Sequence, residues 1–187
     1  MKKICVFCGS NMGASPEYVQ AAKNLGSVLA SSQITLVYGG ARVGMMGELA
    51  DSALQAGGQV IGVIPQSLAE KVAHPNLSDL RIVNSMHERK ALMAELSDGF
   101  IVLPGGLGTL EEFFEILTWS QLGMNNKPCG VLNVNQYYQQ LIDFLDYAVT
   151  QKFLKVEHRS MLLIDDDPKN LLNKFSVYQP PVVSKWT

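Results

Sequence analysis

The chain has 187 residues, 47% of them hydrophobic and 17% charged, with a formal net charge of −2. That profile excludes a disordered chain and a nucleic-acid-coating protein, and the length suits a single domain with a sizeable core. No apolar run reaches the about 18 residues of a membrane-crossing helix, and the run after Met1-Lys2-Lys3 is too short for a signal peptide, so no membrane partner and a cytoplasmic location are expected.

Lys3 to Phe7 reads as a buried strand, followed by the loop Cys8-Gly9-Ser10-Asn11-Met12-Gly13. Cys5 and Cys8 lie three apart on a strand and so point to opposite faces. With Cys129 they make no disulfide framework, and no metal site is expected. Ser15-Pro16 marks a helix start, an N-cap followed by proline at the first helical position, and the helix runs to about Ser31. Ile34 to Tyr38 is a second strand. It opens into the glycine-rich turn from Gly39-Gly40 to Gly47 and a helix ending near Ala56. Gln59 to Ile64 is a third strand. Gln66 to Asp79 reads as a partly helical loop, with His74 before a proline as a surface residue. Leu80 to Val83 is a short strand, and Ser85-x-x-Glu88 is a capping box that opens a helix from Met86 to Ser97.

Next comes the stretch Phe100-Ile101-Val102-Leu103-Pro104-Gly105-Gly106-Leu107-Gly108-Thr109-Leu110-Glu111-Glu112. It reads as a strand buried on both faces, a tight glycine turn, and a helix starting at Thr109 and running to about Leu122. Free backbone N–H groups and the positive end of a helix dipole suit an anion, phosphate above all. Glu111 and Glu112 in the first helical turn are less usual beside a phosphate. Thr109-x-x-Glu112 also fits a capping box, which would make Glu112 structural. Farther on, Pro128 to Val134 is a strand, Gln136 to Thr150 a helix, Met161 to Ile164 a short strand and Pro168 to Phe175 a final helix. Residues 1–178 thus form the domain, and 179–187, opening with Gln179-Pro180-Pro181, an extended tail.

Alternating strands and helices predict an α/β fold, a doubly wound parallel sheet with helices on both faces. Its strand-to-helix turns lie at one edge, where ligands bind. Three of those turns carry paired or neighbouring glycines: Gly9-Ser10, Gly39-Gly40 and Gly105-Gly106-Leu107-Gly108. None is a dinucleotide or Walker fingerprint, so no NAD-type cofactor is expected. Arg89 and Lys90 in the helix start before the strand at 100–103 oppose the dipole, and a nearby anion or carboxylate would explain them. Amides for a phosphate, a guanidinium and a glutamate at one edge can cleave a glycosidic bond.

Pro104-Gly105-Gly106-Leu107-Gly108-Thr109-Leu110-Glu111-Glu112 resembles the P-G-G-x-G-T-x-x-E signature of the LONELY GUY (LOG) proteins, and Arg89-Lys90 resembles their arginine-lysine motif. The likeness extends from Gly9-Ser10 through Thr118-Trp119-Ser120-Gln121-Leu122-Gly123 to Val131-Leu132-Asn133-Val134. It implies a Rossmann-like homodimer without cofactor. Such an enzyme hydrolyses cytokinin riboside 5′-monophosphates, and often AMP, to free base and ribose 5-phosphate. Carried over by position, Arg89 and Glu112 are catalytic. Lys90, Gly106, Leu107, Gly108, Thr109, Glu111 and Thr118 line the nucleotide site, with Ser10, Gly39, Gly40 and Gly105 from the other glycine turns and the start of this loop. Many relatives carry a glutamate in the loop after the third strand, where this chain has Lys71 beside Glu70. The label lysine decarboxylase sometimes given to such proteins is rejected, since pyridoxal chemistry needs a Schiff-base lysine and a partner for the ring nitrogen. The competing reading is a non-catalytic nucleotide or cofactor carrier, or a sensor, on the same fold. Trp119, Leu122 and Met124, near the end of the glutamate-bearing helix, would supply a dimer contact.

Overall fold

A computed structural model describes residues 1–183; the tail residues 184–187 lie outside the described residues. The strands are β1 (Lys3–Phe7), β2 (Thr35–Tyr38), β3 (Val60–Pro65), β4 (Asp79–Val83), β5 (Gly99–Val102), β6 (Cys129–Leu132) and β7 (Leu162–Asp165). They form one seven-stranded sheet in the order β4-β3-β2-β1-β5-β6-β7. Every neighbouring pair is parallel. The chain winds outward from β1 to β4, returns to β5 on the other side of β1, and winds outward again. This reversal puts the switch point between β1 and β5, where ligands of such sheets bind.

The helices are α1 (Pro16–Ser31), α2 (Gly44–Gln55), α3 (Gln66–Val72), α4 (Met86–Leu96), α5 (Leu107–Gln121), α6 (Gln139–Thr150), α7 (Val156–Arg159) and α8 (Pro168–Ser176). Successive strand residues point to opposite faces, so the sheet builds two cores. Ile4, Val6, Leu36, Tyr38 and Ile101 pack with Leu25 and Leu29 of α1, Leu49 of α2 and Phe175 of α8. Cys5, Phe7, Val37, Phe100 and Val102 pack with Met93 of α4, Phe113 and Ile116 of α5 and Ile142 of α6. Cys5 and Cys8 fall in different cores, as strand alternation requires. All three cysteines are free and buried. None of the described helices is long and apolar enough to cross a membrane.

Several local expectations change. The box before α4 forms: Ser85 Oγ accepts from Glu88 N–H at 3.1 Å, while the Glu88 carboxylate takes the N–H of Asn84, one residue earlier than usual, at 2.8 Å. Ser15 flanks α1, but its hydroxyl goes to Glu17 and makes no cap bond. Helix α5 starts at Leu107, not Thr109, with Gly106 as a cap residue that has no side chain to offer. Glu112 therefore sits in the second turn, and the capping box at Thr109 does not form. Between β6 and α6 the chain makes a 3-10 turn, Val134–Gln136, with Asn135 and Gln136 at φ of 49° and 57°. That left-handed backbone delays α6 to Gln139. His74 is buried, not a surface residue, and its Nε2 lies 3.0 Å from Asp51 Oδ1.

Candidate functional site

At the carboxyl edge of the sheet, over the switch point, lies a cleft of about 780 Å³. That is the size of a small-ligand site. It is walled by the loops after β1, β2 and β5, with contributions from α3 and the start of α4. The loops interlock: Gly9 N–H donates to the Pro104 carbonyl at 3.0 Å. Gly44 holds φ +57° at the start of α2, and a Cβ there would run into the Ser10 backbone. On the far side of the second loop, Arg42 N–H bonds the Val72 carbonyl and His74 N–H the Gly40 carbonyl, each at 2.9 Å. These bonds tie the second loop to α3.

Arg89 and Glu112 meet in this cleft. Arg89 Nη1 lies 2.5 Å from Glu112 Oε1, and Arg89 Nε donates to the Val63 carbonyl at 3.1 Å. Both residues are buried, with 8% and 9% of their surface exposed. Burial pushes the Glu112 carboxyl above its ordinary value, although Arg89 beside it pulls the other way. The remaining guanidinium nitrogen passes directly over Gly39, in the space that a Cβ at residue 39 would occupy. Glycine there is a condition for the pair to form.

Lys90 and Glu111 form a second pair, outside the cleft. Adjacent helical residues point about 100° apart, so when Arg89 and Glu112 face the cleft their neighbours cannot. Lys90 Nζ lies 2.5 Å from Glu111 and 3.0 Å from Glu115, one turn apart on α5. Burial works against the lysine's charge, yet the two carboxylates raise its pKa on balance. Glu111 and Thr118 line a separate open depression with Leu107 and Trp119 on the outer face of α5. Ser10, Gly39, Gly105, Gly106, Leu107, Gly108 and Thr109 line the cleft; Gly40 backs it, its backbone packed against β3.

At the end of the cleft under the glycine loop, backbone N–H groups are left open. The first helical bond of α5 runs from Leu110 N–H to the Gly106 carbonyl, and among the described residues no acceptor engages the N–H groups of Gly106, Leu107, Gly108 or Thr109. The other end is apolar, formed by Val43, Met46, Ile64, Leu68, Val72 and Met86. Leu68 and Val72, four apart on α3, line the cleft, while Glu70 and Lys71 are exposed and do not. Sequence reading missed this lobe, because a mixed polar segment gave no periodic signal. It also missed Tyr137 and Tyr18 on the rim. Among the described residues no lysine or histidine lines the cleft, and no group of acidic, cysteine or histidine side chains is placed to hold a metal ion.

A family model described as "possible lysine decarboxylase" matches residues 46–175. The chain is 51% identical over 168 residues to the cytokinin riboside 5′-monophosphate phosphoribohydrolase of Rhodococcoides fascians, a match spanning 89% of this chain and 85% of that protein. It is 43% identical over 180 residues to an Arabidopsis thaliana protein of the same name, spanning 96% and 83%. The chain belongs to the LONELY GUY family. The molybdenum cofactor binding protein of Rippkaea orientalis superposes with a TM-score of 0.72 at 24% identity, covering 94% of this chain and 96% of that one. The Chlamydomonas reinhardtii molybdenum cofactor carrier protein gives 0.68 at 20%, covering 92% and 99%. At such identities the likeness shows a shared fold alone. For this LONELY GUY protein, stability should separate two of its glycines. Gly39→Ala should displace the guanidinium from a buried pair and lower unfolding stability by about 1–3 kcal/mol. A Cβ at Gly106 meets nothing within 4 Å, so Gly106→Ala should stay within about 0.5 kcal/mol of wild type. Urea unfolding of both variants checks this contrast.

Proposed function

We propose that this protein hydrolyses the N-glycosidic bond of purine riboside 5′-monophosphates, AMP and its N6-modified cytokinin counterparts, giving free base and ribose 5-phosphate. The observation that carries the reading is the buried Arg89–Glu112 pair in the same cleft as a row of unengaged backbone amides. The amides of Gly106 to Thr109 hold the 5′-phosphate. The ribose then lies toward Glu112 and the base toward the apolar lobe of Met46, Leu68 and Met86. As the bond to the base nitrogen breaks, the ribosyl carbon gains positive charge, which the Glu112 carboxylate stabilises while orienting the attacking water. Arg89 fixes that carboxylate in place. Relatives at 43–51% identity bear the phosphoribohydrolase name, which supports the same reading.

A lysine decarboxylase would need a lysine in the cleft to form a Schiff base, and none lines it among the described residues. A carrier would need the amide row but not a desolvated carboxylate beside it. We infer further that the protein acts in the cytoplasm, where its three free thiols stay reduced. It acts as a homodimer joined through the outer face of α5. Leu107 is 86% exposed, Met124 71% and Leu122 40%, flanking the half-buried Trp119. Such apolar exposure at one helix suits a self-complementary contact. A monomer at micromolar concentration by light scattering, with full activity, would refute it.

Phosphate anchoring gives an asymmetry between substrates. AMP should release adenine while adenosine, lacking the anchor, should be cleaved far more slowly, as an adenine-release assay would show. Equal turnover of both would reject the anchor. Glu112 supplies the second test. Glu112→Gln keeps the shape and an acceptor for Arg89, so it should fold normally and lose about a hundredfold or more in turnover. Because burial raises its pKa, the working carboxylate is lost as pH falls through a value above 4.5, so wild-type kcat/KM should decline there. A pH–rate profile with no acidic limb, or an active Glu112→Gln, would remove Glu112 from the chemistry.

A further inference from the structure

The loop between β5 and α5 offers amides because its carbonyls are held elsewhere. The Leu103 carbonyl accepts from the buried Tyr138 hydroxyl at 2.9 Å, and the Gly105 carbonyl from the Tyr137 hydroxyl at 2.7 Å. The Pro104 carbonyl between them accepts from Gly9 N–H, and the Gly106 carbonyl after them from Leu110 N–H, both at 3.0 Å. Four consecutive carbonyls are thus tethered. In a trans peptide the C=O of one residue and the N–H of the next point in opposite directions. Each tether therefore sets where the following N–H points.

The two tyrosines do different things by this rule. The Leu103 carbonyl shares its peptide with Pro104, which has no N–H to aim. Tyr138 thus closes a core hydrogen bond, and its hydroxyl also meets the Gly105 backbone, one peptide before the Gly106 N–H. The Gly105 carbonyl shares its peptide with the Gly106 N–H, which no acceptor engages among the described residues. We propose that Tyr137 is a positioning residue: by holding the Gly105 carbonyl, its hydroxyl keeps the Gly106 N–H turned away from it, ready for the substrate's phosphate. This role rests on the phosphoribohydrolase reading above.

The 3-10 turn that precedes α6 is built for this reach. Asn135 and Gln136 adopt left-handed backbone, and Asn133 Oδ1 accepts the Tyr138 N–H at 2.8 Å. The Tyr137 ring is wedged edge-on between Tyr18 and Tyr138, with centroids 5.6 and 4.8 Å away. Ring packing places the side chain, and the hydroxyl is left to act on the loop.

Tyr137→Phe keeps both ring contacts and removes only the tether. It should melt like wild type and bind ribose 5-phosphate about fivefold more weakly by calorimetry, the factor equivalent to one net hydrogen bond. KM for AMP should rise by a similar factor with kcat within about twofold, since the anchor holds ground and transition states alike. Tyr138→Phe should do the reverse, lowering Tm while leaving ribose 5-phosphate affinity unchanged. Wild-type affinity in Tyr137→Phe, or an equal loss of affinity in both variants, would overturn the assignment. A wild-type protein that neither binds ribose 5-phosphate nor cleaves AMP would instead overturn the functional reading, and the role of Tyr137 with it.

Discussion

The molecule is arranged around two opposite charges kept almost out of water. Desolvating a guanidinium and a carboxylate costs several kcal/mol each, and their attraction repays this only with good geometry and further hydrogen bonds. Arg89 meets that condition through Glu112 and the Val63 carbonyl. Burial holds the Glu112 carboxyl above its ordinary value, with Arg89 pulling the other way. The sign follows from linkage. From 4.5 up to the raised value, the folded state keeps a proton that the unfolded chain has released, so this group's contribution to stability falls as pH rises through that interval.

Its neighbours inherit their positions from it. Helices α4 and α5 face each other so that Arg89 meets Glu112. The same rotation brings Lys90 against Glu111 and Glu115. Gly39 is bare because the guanidinium crosses it. The parallel sheet delivers these parts to one place by reversing direction between β1 and β5, so loops distant in sequence share a rim.

How much of this was legible followed from the range of each signal. Apolar runs of four or five residues between glycines and prolines gave the strands and hence the parallel sheet. Paired glycines marked the loops of the cleft. Arg89 stood out because a cation opposes the dipole of the helix start it occupies, and Glu112 because it ends a glycine-loop signature that resembles a known family's. Their neighbours were read into the same site, since adjacency in sequence looks like adjacency in space; helical geometry separates Arg89 from Lys90 and Glu112 from Glu111. The cap at Thr109 was misread because Leu107 and Gly108, a poor helix start by propensity, are drawn into α5 by tertiary context. Leu68, Val72 and Tyr137 left no local trace, as each reaches the cleft through a chain path that only the fold defines.

The two ends of the cleft differ in how freely they can change over evolutionary time. Helix α3 contributes no buried residue, yet Leu68 and Val72 form part of the apolar wall of the cleft. Replacing them disturbs little packing, so variation there can be nearly neutral for folding while altering which substituents on a purine are accepted. The glycine-loop end has less latitude, because a Cβ at Gly105 would meet Thr109 and the Gly9 backbone and because four consecutive carbonyls of the loop are tethered. Lineages sharing this scaffold are therefore free to diversify in the base they prefer while the sugar-phosphate they release stays the same.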